Sequence, residues 1–144
     1  MSNKMKFVVA LARTYNNIFS KIEKNIQGFG LTISEFGVLE FLYHKGDQPV
    51  QKVAEKILVT SGTITYVVDK LQKMELVERR KCDTDKRVYY ISLTEKGNEM
   101  IKRIFPLHEK FINELFEGIE SESLNQGLND LVNINKKIKN EGVK

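Results

Sequence analysis

From Pro49 to Gly97 the residue pattern changes period twice, and no other stretch of the chain constrains the fold as tightly. VQKVAEKIL places Val50, Val53, Ala54 and Ile57 along one helical face. Thr60 and Ser61 then offer N-cap oxygens to a second short helix reaching about Met74. Ile64, Val67, Val68 and Leu71 share one face of that helix. Gly62, Thr63, Tyr66, Asp69, Lys70 and Lys73 share the other, with Thr65 on the flank. A tight helix pair whose second member shows small polar residues at its N-terminal end is the mark of a helix-turn-helix. The period then drops to two. Leu76–Lys81 and Arg87–Leu93, rich in β-branched and aromatic residues, flank the turn Asp83-Thr84-Asp85 and predict a two-stranded hairpin. Its charged tip has no apolar reason to fold inward, so the hairpin is a wing.

The flanks are helical. Residues 5–27 carry Val8, Leu11, Tyr15, Ile18, Ile22 and Ile26 at helical spacing, and Gly28 and Gly30 stop that helix. Thr32 and Glu35 have the spacing of a capping box. The helix they open, ISEFGVLEFLYHK, is apolar nearly all round and should be enclosed by neighbours. Gly46-Asp47 ends it and Pro49 restarts the chain. Beyond the wing, Thr94–Gly97 caps a long helix expected to reach about Ile119, with Pro106 expected to kink it or interrupt its hydrogen bonds. A last helix from Glu120 keeps Leu124, Leu128, Leu131, Ile134 and Ile138 in register. The order is α-α-α-α-β-β-α-α, mainly α with a small β-hairpin wing (α+β), and no internal repeat occurs.

The 144 residues fit one domain spanning 1–144. The formal charge of +4 matters only because the positive groups gather between Arg79 and Arg87. No apolar run approaches the ~18 residues of a membrane span, and the N-terminus lacks a signal-peptide pattern, so a cytoplasmic protein without membrane contact is expected. The single cysteine, Cys82, agrees with a reducing compartment. An enzyme is not expected. The chain has no phosphate-binding glycine loop, no Ser/His/Asp or Cys/His set, and no carboxylate pair on convergent elements. No cofactor is implied. His44, His108 and Glu40 would make only a partial metal site, without a thiolate near them, so no metal is expected.

Residues Thr32–Gly97 resemble the MarR family of transcriptional regulators. The resemblance rests on Val67-Val68-Asp69-Lys70-Leu71, Leu76-Val77-Glu78-Arg79, Asp85-Lys86-Arg87 and Ile91-Ser92-Leu93-Thr94-Glu95-Lys96-Gly97 taken together. It implies a winged helix-turn-helix over 31–97, and dimerisation helices over 1–30 and 98–144. It further implies a triangular homodimer, its first and last helices interleaved, on a pseudo-palindromic double-stranded DNA operator. Independent physics agrees with the dimer, because apolar stripes at both chain ends need a partner. Two-fold symmetry would present two reading helices to successive major grooves, roughly 34 Å apart.

In that frame Thr63, Thr65 and Tyr66 reach base edges or thymine methyls. Ser61 caps the helix or bonds a phosphate. Plain capping and surface polarity would also account for these hydroxyls. Lys52, Lys56, Lys70 and Lys73 suit phosphates, or are simply solvated. Arg79, Arg80, Lys81 and Lys86 add charge along the wing. Arg87 resembles the family's wing-tip arginine, which enters the minor groove, and Asp85 the aspartate that holds it. The alternative is an ordinary turn with a weak salt bridge.

The family usually binds a small, often aromatic effector between its dimerisation and DNA-binding parts. Glu40 stands out on its apolar helix one turn after Phe36, and His108 follows Pro106 in apolar company. Phe7 and Phe36 as walls, with Glu40 and His108 as polar groups, would suit a phenol or quinol. Glu40 paired with Arg13 or His108 for structure alone is the other reading. The whole chain also resembles the family's quinone-responsive branch. Cys82 offers a second switch, a thiol whose acidity the surrounding basic residues would raise, making a redox-sensing repressor. Relatives that sense peroxide carry their cysteine near the N-terminus, and a lone surface cysteine is usually incidental. A winged helix binding protein, or binding DNA without sequence preference, is the remaining class.

Overall fold

The computed structural model describes residues 1–57 and 61–141, leaving aside the side chains of Ser61 and Glu141. Six helices and three strands run in the order α1 (Asn3–Gln27), α2 (Ile33–Lys45), β1 (Gln48–Pro49), α3 (Val50–Ile57), α4 (Ser61–Lys73), β2 (Val77–Lys81), β3 (Tyr89–Leu93), α5 (Glu95–Leu115) and α6 (Ser121–Glu141). The chain divides into two compact units, Met1–Phe111 and Ile112–Lys144. The division falls inside α5, within the stretch 98–144 assigned above to dimerisation, and not at the end of the wing.

The first unit is built on one core shared by α2, α3, α4, β3 and α5. Phe36, Val38, Leu39 and Leu42 of α2, Val53 and Ala54 of α3, and Ile64, Val67, Val68 and Leu71 of α4 are buried together with Ile91, Ile101 and Ile104. Val50 and Ile57 of α3, expected inside, are only half-buried against that core. The capping box at α2 forms as its spacing requires. Thr32 Oγ1 accepts from Glu35 N at 3.2 Å, and Glu35 Oε1 accepts from Thr32 N at 3.1 Å. The cap expected from Thr60 and Ser61 at the start of α4 lies outside the described residues.

The wing carries a third strand that the sequence pattern did not suggest. β1 pairs antiparallel with β3, Gln48 opposite Ile91 and Pro49 opposite Tyr90, giving the strand order β1-β3-β2. Two residues cannot display a period, and a proline, lacking an N–H, is admissible on an edge strand. In the main hairpin Val77 faces Leu93, Arg79 faces Ile91 and Lys81 faces Tyr89.

A compact joint ties the wing to α4. Glu75 takes a left-handed φ of 62°, and Leu76 N bonds back to Leu71 O at 3.0 Å, closing α4. Thr94 Oγ1 donates to Glu75 O at 2.6 Å and Lys96 Nζ to Met74 O at 3.1 Å. Gly97 lies so close that a Cβ there would stand 2.0 Å from the Leu76 carbonyl oxygen. Only glycine fits. α5 continues through Pro106 without a break, although the ring removes one backbone donor. It stops at Leu115, short of the Ile119 expected, because the chain turns at Gly118 with φ 87°.

The outer helices are different. α1 buries only Ile26, while Val8, Leu11 and Tyr15 are 63%, 43% and 58% exposed, too much apolar surface for water. In the second unit α6 leaves Leu124, Leu128, Leu131, Ile134 and Ile138 exposed.

Candidate nucleic-acid interface

The two faces of α4 separate as helical periodicity demands. Ile64, Val68 and Leu71 are fully buried, whereas Gly62, Thr63, Thr65, Tyr66, Asp69, Lys70 and Lys73 are exposed. Tyr66 is 71% exposed in mid-helix, a large ring with no cover from the fold. Lys52 and Lys56, one turn apart on α3, are exposed as well. Ser61 begins α4, but its side chain lies outside the described residues.

Arg87 extends from the wing tip with 91% of its side chain exposed, yet its conformation is fixed. Asp85 Oδ1 accepts from Arg87 N at 3.0 Å and from Nε at 3.1 Å, and Oδ2 accepts from Nη2 at 3.3 Å. These bonds hold the Asp85 carboxyl below the usual aspartate range. A guanidinium pre-oriented in this way presents its remaining donors outward at a reduced entropic cost.

The other cations of the wing are less alike than the sequence implied. Arg80 sits opposite Tyr90, its guanidinium 4.8 Å from the ring centroid, and its Nη2 lies 3.9 Å from Asp47. Lys81 sits opposite Tyr89, with Nζ 5.9 Å from that ring. Lys86 is exposed. Arg79 turns to the Ile91 side of the sheet and pairs with Asp69 of α4 at 2.7 Å. Lys70 Nζ lies 3.4 Å from Glu35 Oε1. Arg79 and Lys70, expected above at the DNA, each form an ion pair within the chain, with side chains 25% and 47% exposed. Sequence reasoning saw Glu35 only as a cap and missed its pairing with Lys70; an acid on a helix destined for burial was the available signal. An open cleft of about 660 Å³ separates α4 from the wing, lined by Pro49, Val50, Gln51, Thr65, Arg79, Arg87, Val88 and Tyr89.

A second cluster lies between α2, α1 and α5 within the first unit. Phe36 and His108 have ring centroids 4.7 Å apart, and His108 Nδ1 is 3.0 Å from Asn25 Oδ1. A carboxamide oxygen only accepts, so Nδ1 carries the proton and Nε2 is left as an acceptor. Burial pushes the His108 pKa down, favouring this neutral form. One turn on, burial raises the pKa of Glu40, and His44 beside it opposes that shift. His44 in turn meets Phe105 edge-on, with centroids 4.9 Å apart. Phe7 does not join this group within one protomer. It lies eighteen residues before Asn25 on α1, about 27 Å along a helix rising ~1.5 Å per residue. Asn25 is the member that sequence reasoning missed, and an asparagine inside a helix carries no signal for it.

Cys82 is half-buried, with Sγ 3.2 Å from Thr84 Oγ1. The Thr84 hydrogen bond lowers its pKa first, followed by the backbone at Asp85 and Thr84, while Asp83 raises it. The basic neighbours invoked above are not the cause. Among the described residues no group of three or more His, Cys, Asp or Glu side chains is placed to hold a metal, and no helix is long and apolar enough to cross a membrane.

An exposed polar helix face beside a fixed wing-tip arginine defines a winged helix-turn-helix DNA-binding protein. The MarR family model matches residues 31–89. The HTH-type transcriptional regulator MhqR of Bacillus subtilis (strain 168) is 45% identical over 120 residues, which cover 83% of each chain. The chain belongs to the MarR family and is a DNA-binding transcriptional regulator, not an enzyme. Regulators of this family bind DNA and function as dimers. Two solved structures share the fold. AbsC, a MarR family transcriptional regulator from Streptomyces coelicolor, superposes with a TM-score of 0.86 at 20% identity, covering 97% of both chains. BpsR of Bordetella bronchiseptica superposes with a TM-score of 0.81 at 20% identity, covering 90% of this chain and 98% of that one.

Proposed function

We propose that the protein is a cytoplasmic repressor, whose homodimer binds a pseudo-palindromic operator and releases it on binding a small hydroxyaromatic or quinone-like molecule. The observation that carries the DNA half is the solvent-exposed face of α4 beside an arginine held by Asp85. Thr63, Thr65 and Tyr66 read the major groove, and Arg87 enters the minor groove. Lys52, Lys73, Lys81 and Lys86 neutralise phosphates. The exposed apolar faces of α1 and of α6 each supply surface for a second copy.

The effector half rests on Phe36, Glu40 and His108. Phe36 offers an aromatic wall and His108 Nε2 an acceptor for a phenolic hydroxyl. Glu40, its pKa raised by burial, offers a carboxyl that accepts a hydrogen bond and, when protonated, donates one. The regulation of BpsR DNA binding by 6-hydroxynicotinic acid, a hydroxylated ring, supports this reading. The test is footprinting upstream of the protein's own gene, then a screen of phenols, quinones and oxidants for release. Glu40→Gln and His108→Ala should shift the effective ligand concentration while the free protein keeps its DNA affinity. Wild-type release by both variants would move the pocket elsewhere.

A further inference from the structure

Glu35 is 1% exposed at the start of α2, and its two oxygens are treated unequally. Oε1 accepts the Thr32 N–H at 3.1 Å and lies 3.4 Å from Lys70 Nζ, while Oε2 is buried with no hydrogen-bond partner among the described residues. A carboxylate so enclosed depends on its one cation, because removing that cation leaves an uncompensated buried charge. Lys70 stands in the last turns of the reading helix α4 with its side chain 47% exposed, within reach of solvent yet committed at its tip. The adjacent residue, Asp69, pairs with Arg79 of β2 at 2.7 Å. Successive residues of α4 are thus tied to different neighbours, α2 on one flank and the wing on the other.

We propose that Glu35 is a positioning residue for operator recognition, which acts through Lys70 to set the pose of α4, and that Lys70 serves as this strut and not as a phosphate contact. This rests on the reading of α4 as the element that enters the major groove. A phosphate contact draws Lys70 away from Glu35 and strands a buried carboxylate, whereas a strut keeps the pair and fixes where Thr63 and Tyr66 arrive. The two roles differ in what they do to sequence discrimination. A lost phosphate contact weakens all duplexes alike, and a lost strut weakens the matched duplex selectively.

The experiment uses a duplex that the wild-type protein selects from a random library, a scrambled duplex of equal length, and the variants Glu35→Gln, Lys70→Met and their combination. Glutamine retains the capping box, since its amide oxygen still accepts from Thr32 N. Lys70→Met strands the Glu35 carboxylate and should lower the melting temperature, whereas Glu35→Gln and the double variant carry no buried charge and keep the test decisive if Lys70→Met does not fold. Each single variant is expected to reduce the matched-to-scrambled affinity ratio about tenfold, and the double variant by no more than either single one. The dependence of log affinity on log salt should keep its wild-type slope in Lys70→Met. The proposal is overturned if Lys70→Met weakens both duplexes equally with a slope shallower by about 0.9 per protomer, or if Glu35→Gln discriminates as the wild type does. Multiplying single effects would overturn it too. A wild-type protein that selects no duplex would instead remove the reading of α4 on which the strut depends.

Discussion

The helix-turn-helix with its wing and the outer helices α1 and α6 follow opposite rules. In the first, every apolar stripe meets another from the same chain: α2, α3, α4 and β3 bury one shared core. In the second, the stripes are as regular and remain bare; α1 buries a single residue, and Leu124, Leu128 and Leu131 of α6 stay exposed. Equal periodicity therefore does not mean equal burial. A stripe with an internal partner specifies a fold, and a stripe without one specifies an assembly.

The sharpest way to break this contrast is to place a charge on a bare stripe. Leu128→Arg on α6 is expected to convert the dimer to monomer over the micromolar range, because an unpaired charge in an interface costs several kcal/mol. Analytical ultracentrifugation decides it; an intact dimer would show that this face is ordinary surface. Gly97→Ala attacks the opposite region. With a Cβ driven against the Leu76 carbonyl, the joint between α4 and the wing must shift, and a loss of about 3 kcal/mol is expected in urea unfolding at fixed protein concentration. Arg87→Ala should weaken operator binding by about 1–3 kcal/mol with the melting temperature unchanged. Asp85→Ala should have a smaller effect in the same direction, since it frees the guanidinium without removing it. An unaltered gel-shift titration for Arg87→Ala would take the wing out of the interface.

The pH dependence is subtler. Glu40, raised by burial from its ordinary value of 4.5, binds more protons folded than unfolded, so stability falls as pH rises from 4.5 through the raised pKa. His108, lowered by burial from 6.5, binds fewer protons folded, so stability rises with pH from the lowered pKa up to 6.5. The two oppose each other, and Glu40→Gln is expected to leave a steeper rise below pH 6.5. Urea midpoints across a pH series check this, and an unchanged curve would mean that Glu40 titrates alike folded and unfolded. Cys82→Ser should do least and leave DNA release intact; loss of response to oxidants would promote the thiol to a switch.

Much of α4 was legible because its pattern is local. Ile64, Val67, Val68 and Leu71 recur at helical spacing, and their burial exposes Thr63 and Tyr66 as a geometric consequence. Asp85 and Arg87 were legible for the same reason, being two residues apart in one turn. Contacts made across the fold were not. Asn25 and His108 are eighty-three residues apart, and nothing in either neighbourhood announces the other. Nor does the wing's basic run announce that the sheet's alternation sends Arg79 to Asp69 and lays Arg80 over Tyr90.

Periodicity, caps and turn residues along the chain were enough to determine a winged helix-turn-helix, since each depends on neighbours within a few positions. Only the tertiary structure decided which charges are spent inside the protein. Whether Lys70 and Arg79 meet a phosphate or a carboxylate depends on where Glu35 and Asp69 stand in space. That placement is set by the packing of α2, α4 and β2 against a common core, which no short window of sequence contains.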